Sequence, residues 1–360
     1  MPDTYISVRL TDVLDPLTGA RSDVSFDVPG PPGITDGTVF DGTELWVLPG
    51  LFDADAHLPV MQRGIRESDR WRALAGGVTS LNTALPWQHI APLDLDDVTT
   101  FLASTDFPRI LPILTIADAP SSAEFPCWIE KFGDQIKSTW MPIIKIYSND
   151  PHFWPNLEAI WAAGCRAAIY FYDDESYQQV LAADGPVHFR HVISKAMAEE
   201  VRSRPDSTCQ TSPHFLLDLP PERPAELHVL PPVPGGSARD SLKEIVAEDV
   251  DVIASDHNAP VLGNTGPGLE IQQHLLPALL TLAEQGVLDL PTALAKATTA
   301  AATVFAPAAT LSAASVIVDP HPTGPATLWP GQEARRAAFA GVPLVGTTVA
   351  VVDDGRGFFL

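Results

Sequence analysis

The chain has 360 residues, and 45% of them are hydrophobic, which supplies a sizeable core and excludes wholesale disorder. Its 22 basic and 45 acidic residues give a formal net charge of −23, which argues against a nucleic-acid partner and against binding to an anionic membrane. No apolar run approaches the roughly 20 residues that span a bilayer, and the first residues lack the basic and apolar segments of a signal peptide.

The first 48 residues predict a small β region, because apolar and polar residues alternate weakly and Gly and Pro are frequent. From Val47 onward, short apolar runs recur, and each is followed by a polar turn and a helix-like stretch. The predicted strands are Val47–Phe52, Val78–Leu81, Ile110–Ile116, Ile143–Tyr147, Ala167–Tyr172, Pro186–Phe189, Thr208–Thr211 and Val250–Ala254. The predicted helices are Glu67–Ala75, Asn156–Ala163, Ser194–Arg202, Ser241–Ala247, Ile271–Gln285 and Pro291–Phe305.

Eight buried strands alternating with helices predict an α/β protein built on a (β/α)8 TIM barrel, which would occupy residues 49–313. The tail at 314–360 returns to a β pattern. If it pairs with residues 1–48, the two ends form one small β-sandwich domain beside the barrel. The three cysteines are scattered and form no CxxC pair, which fits a reducing compartment and predicts a cytoplasmic protein.

In barrels of this kind, catalytic side chains emerge at the carboxyl ends of the strands. Polar residues lie within or just after the predicted strands; Lys145 lies within one, and the others are Asp53, Asp55, His57, His191, His214, Asp256 and His257. Histidine and carboxylate groups gathered at one rim are the ligands of a divalent metal. Such a metal would lower the pKa of a bound water to about 7 and supply hydroxide for attack on an amide carbonyl.

Several segments, in order along the chain, resemble motifs of the amidohydrolase superfamily, in its dihydroorotase and allantoinase branch. Residues 48–57 (L-P-G-L-F-D-A-D-A-H) resemble its P-G-x-x-D-x-H-x-H motif, and residues 253–260 (I-A-S-D-H-N-A-P) resemble its S-D-H-A-P segment. Residues 191–194 (H-V-I-S), 211–214 (T-S-P-H) and 339–346 (F-A-G-V-P-L-V-G) resemble further motifs of that branch. The resemblance runs from about residue 40 to the end of the chain.

This resemblance implies a zinc-dependent cyclic amidohydrolase acting on a small cyclic amide, imide or ureide. His57 would bind the more buried metal, Lys145 would bridge two metals after carbamylation by CO₂, and His191 would bind the second metal. Asp256 would be both a ligand and the general acid/base that delivers a proton to the leaving nitrogen. Supporting roles fall to Asp53 and His257, and substrate contacts to Asn82, His214 and Asn258.

The chain also departs from the family pattern. Asp55 replaces the family's first histidine, and the second-site histidine on strand five falls on Phe171. The positions that recognise dihydroorotate are occupied by Pro59, Leu230 and Val261, so the arginine that would hold the substrate carboxylate is missing. We therefore expect one zinc ion, or none, and a ring more apolar than dihydroorotate.

Alternatives remain at this stage. Lys145 could form a structural ion pair with Asp173 or Asp256, and His188, three residues before His191, is interpreted as a packed core histidine. The chain could be a catalytically degenerate homologue that serves as a structural or regulatory subunit, docked on a carbamoyltransferase-like partner. Metal-independent hydrolysis by Asp256 with His257 or His191 is a third hypothesis. By analogy with the family, the expected oligomer is a homodimer.

Overall fold

The computed structural model of the protein describes residues 5–29, 35–58, 65–103, 107–116, 123–139, 142–259, 266–305 and 313–360. Two positions of the sequence analysis, Pro59 and Val261, lie outside these residues. Within the described ranges, every helix is too short or too polar to cross a lipid bilayer.

The strands and helices follow one another closely along the chain. The strands are β1 (Tyr5–Leu14), β2 (Arg21–Pro29), β3 (Thr38–Asp41), β4 (Trp46–Pro49), β5 (Leu51–His57), β6 (Val78–Pro86), β7 (Arg109–Ile116), β8 (Ile143–Tyr147), β9 (Arg166–Tyr170), β10 (Val187–Phe189), β11 (Ser207–Thr211), β12 (Val252–Ile253), β13 (His257–Asn258), β14 (Ser315–Pro325), β15 (Pro343–Asp353) and β16 (Arg356–Phe359). The α-helices are α1 (Glu67–Ala75), α2 (Trp87–Ile90), α3 (Leu95–Ala103), α4 (Glu124–Thr139), α5 (Phe153–Ala162), α6 (Asp174–Ala182), α7 (Lys195–Ser203), α8 (Pro213–Leu216), α9 (Arg223–Glu226), α10 (Gly236–Asp249), α11 (Leu275–Glu284), α12 (Leu290–Lys296) and α13 (Thr299–Phe305).

A parallel sheet carries the central part of the fold, in the order β12-β11-β10-β9-β8-β7-β6-β5-β13. Helices follow most of its strands, as the alternating pattern of the sequence predicted, so the α/β class is confirmed. The end strands β12 and β13 are consecutive pieces of chain separated by residues 254–256. β12 pairs with β11, whereas β13 pairs with β5. The interior of this sheet is apolar and contains Phe52, Ile113, Ile143, Ala168 and Phe305.

A second sheet is built from both ends of the chain, in the order β2-β16-β15-β14-β4-β1-β3, and β1 also pairs with β2. The prediction that the N- and C-terminal β segments pair is confirmed by the antiparallel ladder between β4 and β14. Its core is a separate apolar cluster that includes Val8, Phe26, Ile317 and Ala350.

Gly50 is the junction between the two sheets. The run predicted as one strand, 47–52, divides at Gly50: Pro49 pairs with Ser315 in the second sheet, and Leu51 pairs with Val78 in the parallel sheet. A Cβ at position 50 would lie 2.2 Å from Oγ1 of Thr79, so only glycine allows this close approach of the backbone.

Other elements differ from the prediction for local reasons. The helix predicted over 291–305 is two helices, α12 and α13, separated by Ala297 and Thr298. α6 was not predicted: the predicted strand ended at Tyr172, and no element was assigned to the polar stretch after it. In the structure, Asp173 caps α6 by accepting a hydrogen bond from the backbone N–H of Ser176 at 2.7 Å.

Candidate active site

Polar side chains collect at the carboxyl end of the parallel sheet, above its apolar interior. Asp55 and His57 are two residues apart on β5, so their side chains point to the same face of the strand and both reach this end. β5 is irregular here, because its register against β6 shifts between Asp53 and Ala56. Lys145 lies on β8 and is 1% exposed, while Asp55 is fully buried.

Asp53 does not reach the centre of this group. Its carboxylate accepts hydrogen bonds from Oγ of Ser255 at 2.5 Å and from Nε2 of Gln272 at 2.7 Å. Burial raises the pKa of the Asp53 carboxyl group, and these donors work against that rise. His257 is also a structural anchor, because its Nδ1 accepts a hydrogen bond from the backbone N–H of Ile271 at 3.2 Å. Both side chains therefore hold the 255–257 segment in place.

Asp55 is the centre of the site, and both of its carboxylate oxygens are occupied. Nζ of Lys145 lies 2.5 Å from Oδ1. Arg190 donates from Nε to Oδ2 at 2.9 Å and from Nη2 to both oxygens at 2.8 and 3.0 Å. Nε2 of Gln210 completes the shell at 2.5 Å from Oδ2. Lys145 therefore forms an ion pair, as one of the alternatives held, but its partner is Asp55 rather than Asp173 or Asp256.

The charged groups at this centre shift one another's pKa values. Burial alone would raise the pKa of Asp55, but Arg190 and Lys145 outweigh it and hold that pKa well below its ordinary value. Burial, followed by the Arg190 charge, lowers the pKa of Lys145 to about 8. At neutral pH the centre is thus one carboxylate between a guanidinium and an ammonium that loses its proton more readily than a surface lysine.

Two histidines line this centre in their neutral form. Burial lowers the pKa of His57 and of His191 well below the ordinary value, and the neighbouring cations Lys145 and Arg190 respectively add to that effect. Nε2 of His57 lies 3.6 Å from Oδ1 of Asp55, and Nε2 of His191 lies 4.0 Å from Oδ2 of the same carboxylate.

Asp256 and His191 share an unusual backbone conformation. Their φ angles are 55° and 56°, in the left-handed region that non-glycine residues seldom adopt. Such conformations persist where the surrounding structure imposes them, and they concentrate at functional sites. Oδ1 of Asp256 lies 3.8 Å from Nε2 of His191. Burial, reinforced by the charge of Asp55, raises the pKa of Asp256 well above its ordinary value.

Asp55, His57 and Asp256 form a group that could hold a metal, since one ligand atom from each lies within 4.8 Å of the others. Two carboxylates and one imidazole suit a single zinc-class ion. Nζ of Lys145, at 2.5 Å from Asp55 and 3.4 Å from Nε2 of His57, lies between two of these donors. The donor set therefore fits one ion, in competition with the protonated form of Lys145.

The predicted substrate residues lie beside this centre, but their side chains make no hydrogen bond to Asp55, His57 or Asp256 among the described residues. Asn82 is buried, and its side-chain N–H₂ donates to the backbone carbonyl of Ala54. Asn258 donates to the carbonyl of Pro267 at 3.2 Å. His214 is fully buried, its ring nitrogens have no hydrogen-bond partner among the described residues, and burial lowers its pKa to about 3. Their predicted contacts with substrate remain predictions.

Arg190 and Gln210 bond Asp55 directly, and neither was among the predicted site residues. Strand periodicity could have found Arg190, because it lies two residues after His188, immediately beyond the end of β10, and so continues the inward face of that strand. His188 is a core residue, as predicted: Nδ1 contacts Oγ1 of Thr208 and Nε2 contacts Oε1 of Gln210, both at 2.9 Å.

Phe171, the position assigned to the family's strand-five histidine, packs away from the site. Its ring stacks on Phe189 at a centroid distance of 5.5 Å, on the outer side of the sheet. The residue of β9 that faces the centre is Tyr170, whose ring lies 5.3 Å from that of His191.

Comparison with solved structures defines the fold. A D-hydantoinase superposes with a TM-score of 0.72 at 14% sequence identity, covering 98% of this chain and 95% of the other. A dihydropyrimidinase from Brevibacillus agri gives a TM-score of 0.67 at 16% identity, with 98% and 95% coverage. An L-hydantoinase from Arthrobacter aurescens also gives 0.67 at 16% identity, with 98% and 96% coverage. At these identities the likeness is one of fold.

Curated relatives match shorter segments. A dihydroorotase-like protein of Pseudomonas putida is 32% identical over 142 residues, which are 36% of this chain and 34% of that protein. A dihydroorotase-like protein of Pseudomonas aeruginosa is 41% identical over 78 residues, 19% of this chain and 18% of that protein. No protein-family model matches the chain. Sequence and fold together confirm the predicted resemblance to the cyclic amidohydrolase branch of the amidohydrolase superfamily.

Proposed function

We propose that the protein is a cyclic amidohydrolase, which hydrolyses a C–N bond in a cyclic amide, imide or ureide, or closes such a ring in the reverse direction. The observation that carries this proposal is the group formed by Asp55, His57 and Asp256 at the carboxyl end of a parallel sheet whose fold is that of hydantoinases. Hydantoins and dihydropyrimidines are the ring classes to test first, and we do not expect dihydroorotate to be the substrate.

Asp256 is the proposed proton carrier. A carboxyl group whose pKa is well above the ordinary value holds a proton closer to neutral pH than an exposed aspartate does. It can therefore take a proton from the attacking water and pass it to the ring nitrogen as the C–N bond breaks. His191, neutral and 3.8 Å away, would accept a hydrogen bond from protonated Asp256 or orient its carboxylate.

A single zinc-class ion on Asp55, His57 and Asp256 is part of this proposal. When bound, it would act as a Lewis acid on the ring carbonyl. Carbamylation of Lys145 by CO₂ remains a proposal too: the neutral amine would form the new N–C bond and release one proton. Its lowered pKa, about 8, makes that neutral form accessible. Carbamylation would also replace the ammonium that competes with the ion by a group bearing a negative charge.

The finer architecture is proposed on the same basis. The interrupted eighth strand, β12 and β13, would close a (β/α)8 barrel over residues 49–313, with 1–48 and 314–360 forming the small β domain. Asn82, His214 and Asn258 would contact the substrate. We also propose a cytoplasmic location, consistent with three cysteines that are all unpaired. A homodimer is proposed by analogy with the family alone.

Turnover of a panel of hydantoins, dihydropyrimidines and dihydroorotate tests the function, with protein prepared in zinc-supplemented medium. We expect ring opening that Asp256→Asn reduces at least a hundredfold, consistent with the usual size of general acid/base catalysis. Asp173→Asn, an exposed aspartate that caps α6, is the matched control and should retain activity. Unchanged turnover in the Asp256 variant would remove the proposed proton carrier.

A second candidate function is a structural or regulatory subunit that docks on a carbamoyltransferase-like partner. The specific observation in its favour is that both oxygens of Asp55 already accept hydrogen bonds from Lys145, Arg190 and Gln210. This candidate predicts zinc content near zero after supplementation and no turnover of any ring in the panel. Measurable ring opening by the purified chain would exclude it.

A further inference from the structure

Arg190 is a permanent cation built into the proposed metal site. Its side chain is 2% exposed and holds Asp55 through both Nε and Nη2. Nη2 also lies 3.4 Å from Nε2 of His57. The guanidinium carbon lies 5.9 Å from the ring centroid of Tyr147, so the cation also faces an aromatic ring. Arg190 thus contacts two of the three groups that could hold an ion.

The two cations at Asp55 differ in kind. Lys145 can lose its proton or be modified, and its ammonium lies against Oδ1. A guanidinium stays protonated in proteins and offers no lone pair to a metal. It donates twice to Oδ2 and once to Oδ1, and Oδ2 is the oxygen that lies 4.0 Å from Nε2 of His191. The side of Asp55 that faces His191 is therefore closed to a second divalent ion.

We propose that Arg190 replaces a second metal ion at this centre, so that the site accepts at most one divalent ion, on the side of Asp55 that faces Lys145 and His57. Arg190 supplies one positive charge where a binuclear site would hold two. Gln210 helps to hold Asp55 in this position. Its Nε2 donates to Oδ2 of Asp55, and its Oε1 contacts Nε2 of His188. This inference rests on the proposed metal-binding role of the site but not on catalysis.

Zinc binding by the purified, folded protein tests the inference. Calorimetric titration of the metal-stripped full chain with zinc should give no more than one ion per chain. Arg190→Gln should bind zinc at least tenfold more tightly, because a fixed positive charge beside the donors is gone. Arg190→Lys keeps the charge and should stay within threefold of the unsubstituted protein.

Arg166→Gln is the matched control, since Arg166 begins β9 at the opposite end of the same sheet and donates to Oγ1 of Thr208 at 3.1 Å. It should leave zinc affinity unchanged. Two ions bound by the unsubstituted chain would overturn the inference, a result that needs no variant to fold. Equal, weaker or absent zinc binding by a folded Arg190→Gln variant would overturn it as well. The experiment measures zinc binding and not turnover. It therefore tests the role of Arg190 even if the protein opens none of the rings.

Discussion

Replacing Asp55 by asparagine should destabilise the protein strongly. The substitution keeps the shape of the side chain but removes the charge that faces Lys145 and Arg190, whose side chains are 1% and 2% exposed. Removing one partner of a buried ion pair costs about 3–5 kcal/mol, because the remaining charge stays buried and unpaired. With an unfolding entropy of ~2.1 cal/mol/K per residue, 360 residues give ~0.76 kcal/mol/K, so Tm should fall by about 4–7 °C.

Scanning calorimetry on the metal-stripped protein measures this shift. The matched control is Asp23→Asn, which breaks an exposed pair with Arg9 whose side chains are 37% and 55% exposed. Solvent screens that pair, so Tm should change by only a small fraction of the shift at Asp55. Adding Lys145→Met to Asp55→Asn should recover part of the loss, since one of the two unpaired buried cations is then gone. Equal Tm values for the Asp55 and Asp23 variants would show that the buried ion pairs of Asp55 stabilise the protein no more than the exposed pair of Asp23 does.

Two further predictions concern residues outside this cluster. Burial lowers the pKa of His214 to about 3, so between pH ~6.5 and ~3 the unfolded chain binds a proton that the native one does not, and stability falls as pH falls through this window. His214→Phe should therefore make the free energy of unfolding, measured by urea titration from pH 4 to 6, less steep by about 1.4 kcal/mol per pH unit; an unchanged slope would contradict a buried neutral histidine. Asp173→Ala should lower stability by about 1 kcal/mol through loss of the cap on α6, whereas Asp173→Ser should retain most of it. Equal urea midpoints for the two Asp173 variants would rule out the capping contribution.

Strand periodicity and residue type made much of the fold predictable. The strand predicted over Ile143–Tyr147 has the same first and last residues as β8, and the helix predicted over Glu67–Ala75 has those of α1. Apolar runs of this length are buried on both faces of a parallel sheet, so their limits coincide with the polar turns that the sequence displays. The same periodicity could not divide the run at Gly50, because the division follows from the approach of Thr79.

By itself, the sequence determined the α/β class and the gathering of Asp55, His57, Lys145 and Asp256 at one end of the sheet, since these follow from local pattern and from the rule that parallel strands share their carboxyl edge. The pairing of the two chain ends, which chain order leaves open, was decided by the ladder between β4 and β14. Only the tertiary structure decided that Asp55 faces Lys145 and Arg190 together and that Phe171 points outward. The charge pairing of Asp55 on β5 with Lys145 on β8 and with Arg190, just after β10, depends on distances of a few ångströms between residues 90 and 135 positions apart. No local pattern encodes those distances.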